Sequence, residues 1–258
     1  MIFGGIRKMT LLDYPDKTAC TLFTIGCNFI CPFCQNSSLI VSSGGGDKYL
    51  PGEGAAAYDE SNNIQPVKDS EIFDFLKTRT GLLDGVCISG GEPLIHDDID
   101  DLIDEIKALG FLVKLDTNGS CPDKLEKLIN TGKIDFISID IKNSKKKYAQ
   151  TINIPGYDIS PVEESIKLLR TNTIHHEFRT TVVKEFHNSE DLCSIAHWIS
   201  GTSTKTSSGG GLIKYYLQKF IDSEGVLCSG LHAYNDEEMR EFNNIINKII
   251  PGSQLRGI

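Results

Sequence analysis

Apolar, β-branched runs alternate with amphipathic stretches along most of this chain. Cys20 to Ile25 reads as the first strand. Ser70 to Thr80 reads as a helix, with Ile72, Phe73, Phe75 and Leu76 at helical spacing behind Asp69 and Ser70 as candidate caps. Gly85 to Ser89 follows as a buried strand. Asp98 to Leu109 sets Ile99, Leu102, Ile103, Ile106 and Leu109 on one helical face, and Gly110 marks its end. Further strands are predicted over 111–116, 134–141, 177–183 and 212–220. Further helices are predicted over 123–130, 161–170, 190–200 and 236–249. About six β-α units result, and regular alternation of this kind requires a parallel sheet covered by helices. A partial or full barrel closes such a sheet in one way, and an open doubly wound sheet is the competing architecture.

Two segments break the rhythm: 42–66, rich in Gly, Ala and small polar residues, and 201–211, rich in Ser, Thr and Gly. Both read as surface loop insertions within a single domain spanning 1–258. The glycines at 209–211 are not followed by the Lys-Ser/Thr of a phosphate-binding loop.

Composition narrows the class. A chain of 258 residues with 40% hydrophobic and 24% charged residues is globular in its materials. Its net charge of −9 excludes a broad basic surface for nucleic acid or anionic membrane, leaving protein or small-molecule partners. No run has the length of a membrane span, and the N-terminal stretch lacks the apolar core of an export signal. Of eight cysteines, those at 20, 87, 121, 193 and 228 are scattered, which points to a reduced, cytoplasmic setting. They read as small buried hydrophobes, and Trp198 reads as core. His175-His176 opens a strand and reads as a solvated loop rather than a metal pair, His187 as a loop histidine following a strand, and Lys145-Lys146-Lys147 as a solvated charge run.

The other three cysteines lie in Cys27-Asn28-Phe29-Ile30-Cys31-Pro32-Phe33-Cys34, directly after the first predicted strand. Three thiolates leave a four-iron cluster with one iron open, and an open metal position is where chemistry occurs. A structural zinc site completed by Cys20, a distant cysteine or a histidine is the alternative on spacing alone. Ser89-Gly90-Gly91-Glu92-Pro93 follows a predicted strand, where α/β folds present binding groups; its glycines allow close backbone approach and Glu92 offers a carboxylate. Asp116-Thr117-Asn118-Gly119 and Asp140-Ile141-Lys142 end two later strands. Each alone reads equally as a capped turn.

Together, the cysteine triplet, the Gly-Gly-Glu-Pro turn and the β-α order resemble the radical S-adenosylmethionine (SAM) enzymes. Leu12-Asp13-Tyr14-Pro15-Asp16-Lys17, Gly26-Cys27-Asn28-Phe29 and Asp116-Thr117-Asn118-Gly119 look like the glycyl-radical-enzyme activases within that family. Phe178-Arg179-Thr180-Thr181-Val182-Val183 and Tyr216-Leu217-Gln218-Lys219-Phe220 are similar to the activating proteins of anaerobic ribonucleoside-triphosphate reductase. The chain departs from the pattern at Asp16, where relatives often carry Gly, and at Gln35, where His is common. The 42–66 insertion contains no cysteine, so one cluster is expected.

The resemblance implies an α/β fold with a partial (β/α)6 TIM-like barrel. It implies one [4Fe-4S] cluster on Cys27, Cys31 and Cys34, with SAM chelating the open iron and yielding a 5′-deoxyadenosyl radical on reductive cleavage. It assigns Gly90, Gly91 and Glu92 to the methionine amino group and Phe33 to the adenine. Asp116, Thr117, Asn118, Asp140 and Lys142 fall around the ribose and carboxylate, where an aspartate pair can hold a monovalent cation, and Arg179 is within reach of the carboxylate. The implied activity is hydrogen abstraction from a glycine of a partner enzyme, with anaerobic ribonucleoside-triphosphate reductase as partner and a flavodoxin- or ferredoxin-type electron donor. The alternatives are a pyruvate formate-lyase-type activase, a radical enzyme with a small-molecule substrate, and a non-catalytic zinc or iron–sulfur module.

Overall fold

Ala19–Thr24 is apolar or small at every position because it is a strand buried on both faces. It is the second strand of the fold. A computed structural model describes residues 1, 3–40, 66–201 and 213–258. Apart from 66 and 201, the expected loop insertions lie outside the described residues.

The strands are β1 Phe3–Thr10, β2 Ala19–Thr24, β3 Gly85–Gly90, β4 Leu112–Thr117, β5 Phe136–Asp140, β6 His175–Val182, β7 Tyr215–Lys219 and β8 Gln254–Arg256, and their order in the sheet follows the chain. The helices are α1 Asp69–Lys77, α2 Ile99–Ala108, α3 Pro122–Asn130, the single turn α4 Tyr148–Thr151, α5 Ser160–Thr171, α6 Ser189–Ser200 and α7 Asp236–Ile246. From β2 to α7 the alternation supplies the six expected β-α units. The chain divides into two units, Met1–Phe29, Asn36–Thr117 and Asp123–Ile137 in the first, and Ile30–Gln35, Asn118–Pro122 and Ser138–Ile258 in the second.

In the first unit, β1 pairs antiparallel with β2, while β2, β3 and β4 run parallel with Ala19 opposite Gly85 and Gly85 opposite Leu112. Three parallel strands therefore deliver the cysteine run, the Gly-Gly-Glu turn and Asp116-Thr117 from their C-terminal ends. Helix α2 buries Ile99, Leu102, Ile103 and Ile106, the face predicted from its periodicity, and Gly110 at φ +87° stops it in the left-handed region. Tyr14, from the Asp-Tyr-Pro segment, packs with Ala19, Phe136 and Leu112. Asp16 has φ +59°, so the position where relatives often carry Gly has a left-handed backbone, which Asp tolerates better than most residues.

In the second unit, β6, β7 and β8 are parallel neighbours. Helices α6 and α7 each begin with a reciprocal capping box, Asn188 with Asp191 and Asn235 with Glu238. Arg256 on β8 forks onto buried Glu177 of β6 through two 2.8 Å bonds, Ser138 donates to the same carboxylate at 2.7 Å, and the guanidinium lies 3.7 Å from the Tyr216 ring centroid.

Several expectations are corrected here. His175 and His176 open β6 as expected and His175 is exposed, but His176 is buried rather than solvated, with its Nδ1 2.9 Å from the Ile174 carbonyl. Lys145 and Lys146 are exposed as expected, whereas Lys147 is half-buried and pairs with Asp191 at 2.6 Å; Lys145 pairs with Glu163 and covers Trp198, which is half-buried rather than core. Cys20 and Cys87 are buried, Cys121 and Cys193 half-buried, and Cys228 exposed. Among the described residues no helix is long and apolar enough to cross a membrane.

Removing one partner from a buried ion pair leaves a charge without compensation, typically at a cost of about 3–5 kcal/mol. Arg256→Met is expected to lower the unfolding free energy by roughly this amount in urea titration. A change near zero would mean that Glu177 does not depend on Arg256.

Candidate active site

In the first unit the glycine turn is pressed against Thr24 and Gly26, the segment that precedes the cysteine run. Gly91 N–H donates to Thr24 O at 2.9 Å and Glu92 N–H to Gly26 O at 2.8 Å, while Gly26 N–H donates to Leu39 O at 2.7 Å. Gly90 and Gly26 have φ of +111° and +101°. A Cβ on Gly90 would stand 2.4 Å from Thr24 N, and one on Gly91 only 1.9 Å from Gly26 O. The close approach these glycines permit is thus to the chain's own backbone, immediately before Cys27. Beyond it, Phe29 N–H points at Cys27 Sγ, 3.4 Å away, a contact that favours a thiolate.

Glu92 is buried, and its Oε1 accepts from Leu94 N–H at 3.0 Å and from the Thr117 hydroxyl at 2.7 Å. Its carboxylate caps the short turn Pro93–Ile95 and ties the end of β3 to the end of β4. Asp116 accepts from Ser89 Oγ at 3.2 Å and from the ammonium of Lys114, which is itself buried.

In the second unit, Cys34 N–H donates to Cys31 O at 2.9 Å, closing the Cys-Pro-Phe-Cys segment into a tight turn. A segment after β7 clasps this turn. Leu227 N–H donates to Cys34 O at 3.1 Å, Cys228 N–H to Pro32 O at 2.9 Å, and Gln35 Nε2 to Ile221 O at 2.9 Å. Gly225 is required there, since a Cβ would lie 2.6 Å from Gln35 O. Phe33 is buried against Phe186 and His187, with centroids 5.5 and 6.1 Å away. Asn118 is buried and its Oδ1 accepts from Ser120 N–H at 2.9 Å, so its amide holds the local turn.

Asp140 at the end of β5 accepts from Arg179 Nε at 2.6 Å and Lys142 Nζ at 3.2 Å. Burial pushes its carboxyl up, but the guanidinium and ammonium outweigh this and hold it well below the usual carboxylate range. Burial works against the Lys142 ammonium too, yet Asp140 and Cys31 raise it above its ordinary value. Burial pushes the Cys31 thiol up to about 12, against the pull of Lys142. The thiol therefore keeps its proton at neutral pH, and a metal bound there would have to release it.

His187 is the residue that sequence reasoning left as an ordinary loop histidine. Its Nδ1 accepts from Val183 N–H at 3.2 Å, which leaves Nε2 as the protonated nitrogen, donating to Lys142 O at 2.8 Å. The imidazole pins the backbone that carries Lys142. No local signal announces this bond, because its acceptor lies 45 residues upstream. Lys114 was also missed, although a lone lysine in the otherwise apolar strand before Asp116 was a usable cue.

The model of the radical SAM superfamily matches residues 21–199. The chain is 28% identical, over 100% of its length and 96% of the relative's, to a Methanocaldococcus jannaschii protein, MJ1227, named for a proposed role as a glycyl-radical enzyme activating enzyme. Its fold is similar to a domain of pyruvate-formate lyase-activating enzyme from Bacteroides vulgatus, with a TM-score of 0.52 at 13% identity, covering 67% of this chain and 99% of that one. It is also similar to SuiB of Streptococcus suis bound to S-adenosylmethionine, with a TM-score of 0.60 at 14% identity, covering 91% of this chain and 49% of that one. The α/β fold with a parallel sheet is thus shared with radical SAM enzymes built as partial TIM barrels.

Gly91→Ala is expected to displace the Gly26 carbonyl, lower stability by about 1–3 kcal/mol and speed amide exchange at Glu92. Unchanged exchange would remove the clamp. Burial holds His96, His176 and His187 below the ordinary histidine value. Unfolding returns them to about 6.5, so the unfolded chain binds more protons below that pH and stability should fall between about pH 7 and 5. Melting temperatures across that window check this, and His187→Asn should flatten the slope.

Proposed function

The chain belongs to the radical SAM superfamily, and from that premise we propose that it installs a glycyl radical on a partner enzyme, anaerobic ribonucleoside-triphosphate reductase. The observation that carries the reading is the backbone clamp between the Gly90-Gly91-Glu92 turn and Gly26, which fixes the entry to the cysteine run. The full-length similarity to MJ1227 supports the activase class.

The donor set fits a cluster with one open iron. Cys27, Cys31 and Cys34 would hold it: three thiols on one short run, with an amide directed at Cys27 and the Lys142 charge acting on Cys31. When bound, the [4Fe-4S] cluster supplies the electron that cleaves SAM. The protein binds and orients. Main-chain groups of Gly90 and Gly91 meet the amino group in this reading, because the Glu92 carboxylate is engaged by Leu94 and Thr117. Lys142 and Arg179, fixed around Asp140, offer positive charge to the carboxylate, and His187 holds Lys142 in position. Phe33, buried against Phe186, supplies an aromatic wall that excludes water from the adenine side. A flavodoxin or ferredoxin completes the system as electron donor.

Anaerobic reconstitution with iron and sulfide should give one cluster per chain and, with reductant and SAM, 5′-deoxyadenosine. Its failure to form would end the radical reading, and Cys31→Ala should abolish it. Mixed with the reductase, the active enzyme should produce a glycyl doublet in electron paramagnetic resonance. A doublet only on pyruvate formate-lyase would reassign the partner.

A further inference from the structure

Both strand-end aspartates already hold cations, and in each case the cation is a side chain. On β4, Lys114 and Asp116 are two residues apart and therefore on one face of the strand. The ammonium donates to Asp116 Oδ1, and Ser89 Oγ donates to Oδ2 at 3.2 Å. Only 1% of the Lys114 side chain is exposed, and its Nζ lies 3.9 Å from Cys87 Sγ and 5.9 Å from the Phe136 centroid. A buried ammonium persists only where a charge and a hydrogen bond offset its desolvation, and Asp116 provides both. On β5, Asp140 Oδ1 accepts from Arg179 Nε at 2.6 Å and Oδ2 from Lys142 Nζ at 3.2 Å. All four carboxylate oxygens thus accept a hydrogen bond, three of them from a positively charged group.

An alkali ion needs carboxylate and carbonyl oxygens aimed at it without competing positive charge. An ion on Asp116 would stand beside the Lys114 ammonium, and one on Asp140 beside a guanidinium and a second ammonium. The residues present do not fit a monovalent cation. We infer that this chain carries a tethered ammonium, Lys114, in the place of an alkali ion at Asp116, so that its SAM site is built and works without sodium or potassium. Lys114 is a positioning residue: it acts by fixing the Asp116 carboxylate. Arg179 and Lys142 serve Asp140 in the same way. The inference rests on reading these strand ends as the cofactor's edge, but its first consequence is readable in the protein alone.

The test compares sodium, potassium and choline chlorides at constant ionic strength. For the wild-type apoprotein the melting temperature should be the same in all three, and for the reconstituted protein so should SAM affinity by equilibrium dialysis. Lys114→Met should melt several degrees lower in choline and recover part of the difference in sodium or potassium, because Asp116 then lacks its ammonium. Lys114→Met/Asp116→Asn should lose that cation dependence. A merely structural lysine would give a Met variant destabilised equally in every salt, which would overturn the inference. So would a wild-type melting temperature or SAM affinity that changes with the identity of the cation, a measurement that stands even if the Met variant does not fold. Absence of SAM binding in every salt would instead count against the cofactor reading and leave the apoprotein comparison intact.

Discussion

The approach of the Gly91 backbone to the Gly26 carbonyl is the constraint around which the first unit's candidate residues are arranged. A side chain at Gly91 would collide with Gly26 O at 1.9 Å, and Glu92 N–H already donates to that oxygen at 2.8 Å. The ends of β2 and β3 are therefore locked by main-chain bonds that survive most side-chain changes. Because Gly26 also donates to Leu39 O, both main-chain polar groups of the residue before the first cysteine are held. Glu92 extends the lock to β4 through Thr117. A loop that must present thiolates with little freedom is better fixed by backbone than by rotameric contacts, since the entropy of ordering it has been met in folding.

The second unit fixes its own candidate residues differently, with charge. Asp140 between Arg179 and Lys142 is a half-buried network, and such networks add rigidity only when every member is satisfied. His187 completes it by bonding the main chain of Lys142, and in doing so must stay neutral with its proton on Nε2. Cys31 feels the same charges, so the network that orients the strand end also sets the electrostatic environment of a candidate ligand. The Lys142 charge favours the anionic state that a metal would demand, against burial and Asp140, which favour the thiol.

Much of this was legible in sequence, and the exceptions have physical causes. Helix α2 was readable because a single apolar stripe and a stop glycine determine it. Strand β1 was missed because it lies at the end of the strand order and reads Gly-Gly-Ile-Arg-Lys-Met, with three consecutive exposed positions and no β-branched run. Strand β8 is only three residues long and depends on pairing with β7. The motif positions at the ends of β2 to β5 were identified because parallel α/β folds present binding groups there. Their local partners were not, since Glu92 capping Leu94 and His187 reaching Lys142 depend on the fold rather than on spacing.

Lys114 illustrates why polarity alone misleads. In a half-exposed strand a lysine marks the solvent face, but β4 is flanked by neighbouring strands and covered, so its lysine cannot reach water. The side chain can remain charged only by meeting an anion within the protein, and the alternation of the strand puts Asp116 on its side. A buried lysine two positions before a strand-end aspartate is thus an ion pair that strand geometry dictates once the strand is known to be internal. Burial converts an apparently misplaced charge into the counter-ion of a candidate cofactor-binding residue. The electrostatics of this strand end were encoded in the chain but became readable only when the fold supplied the burial.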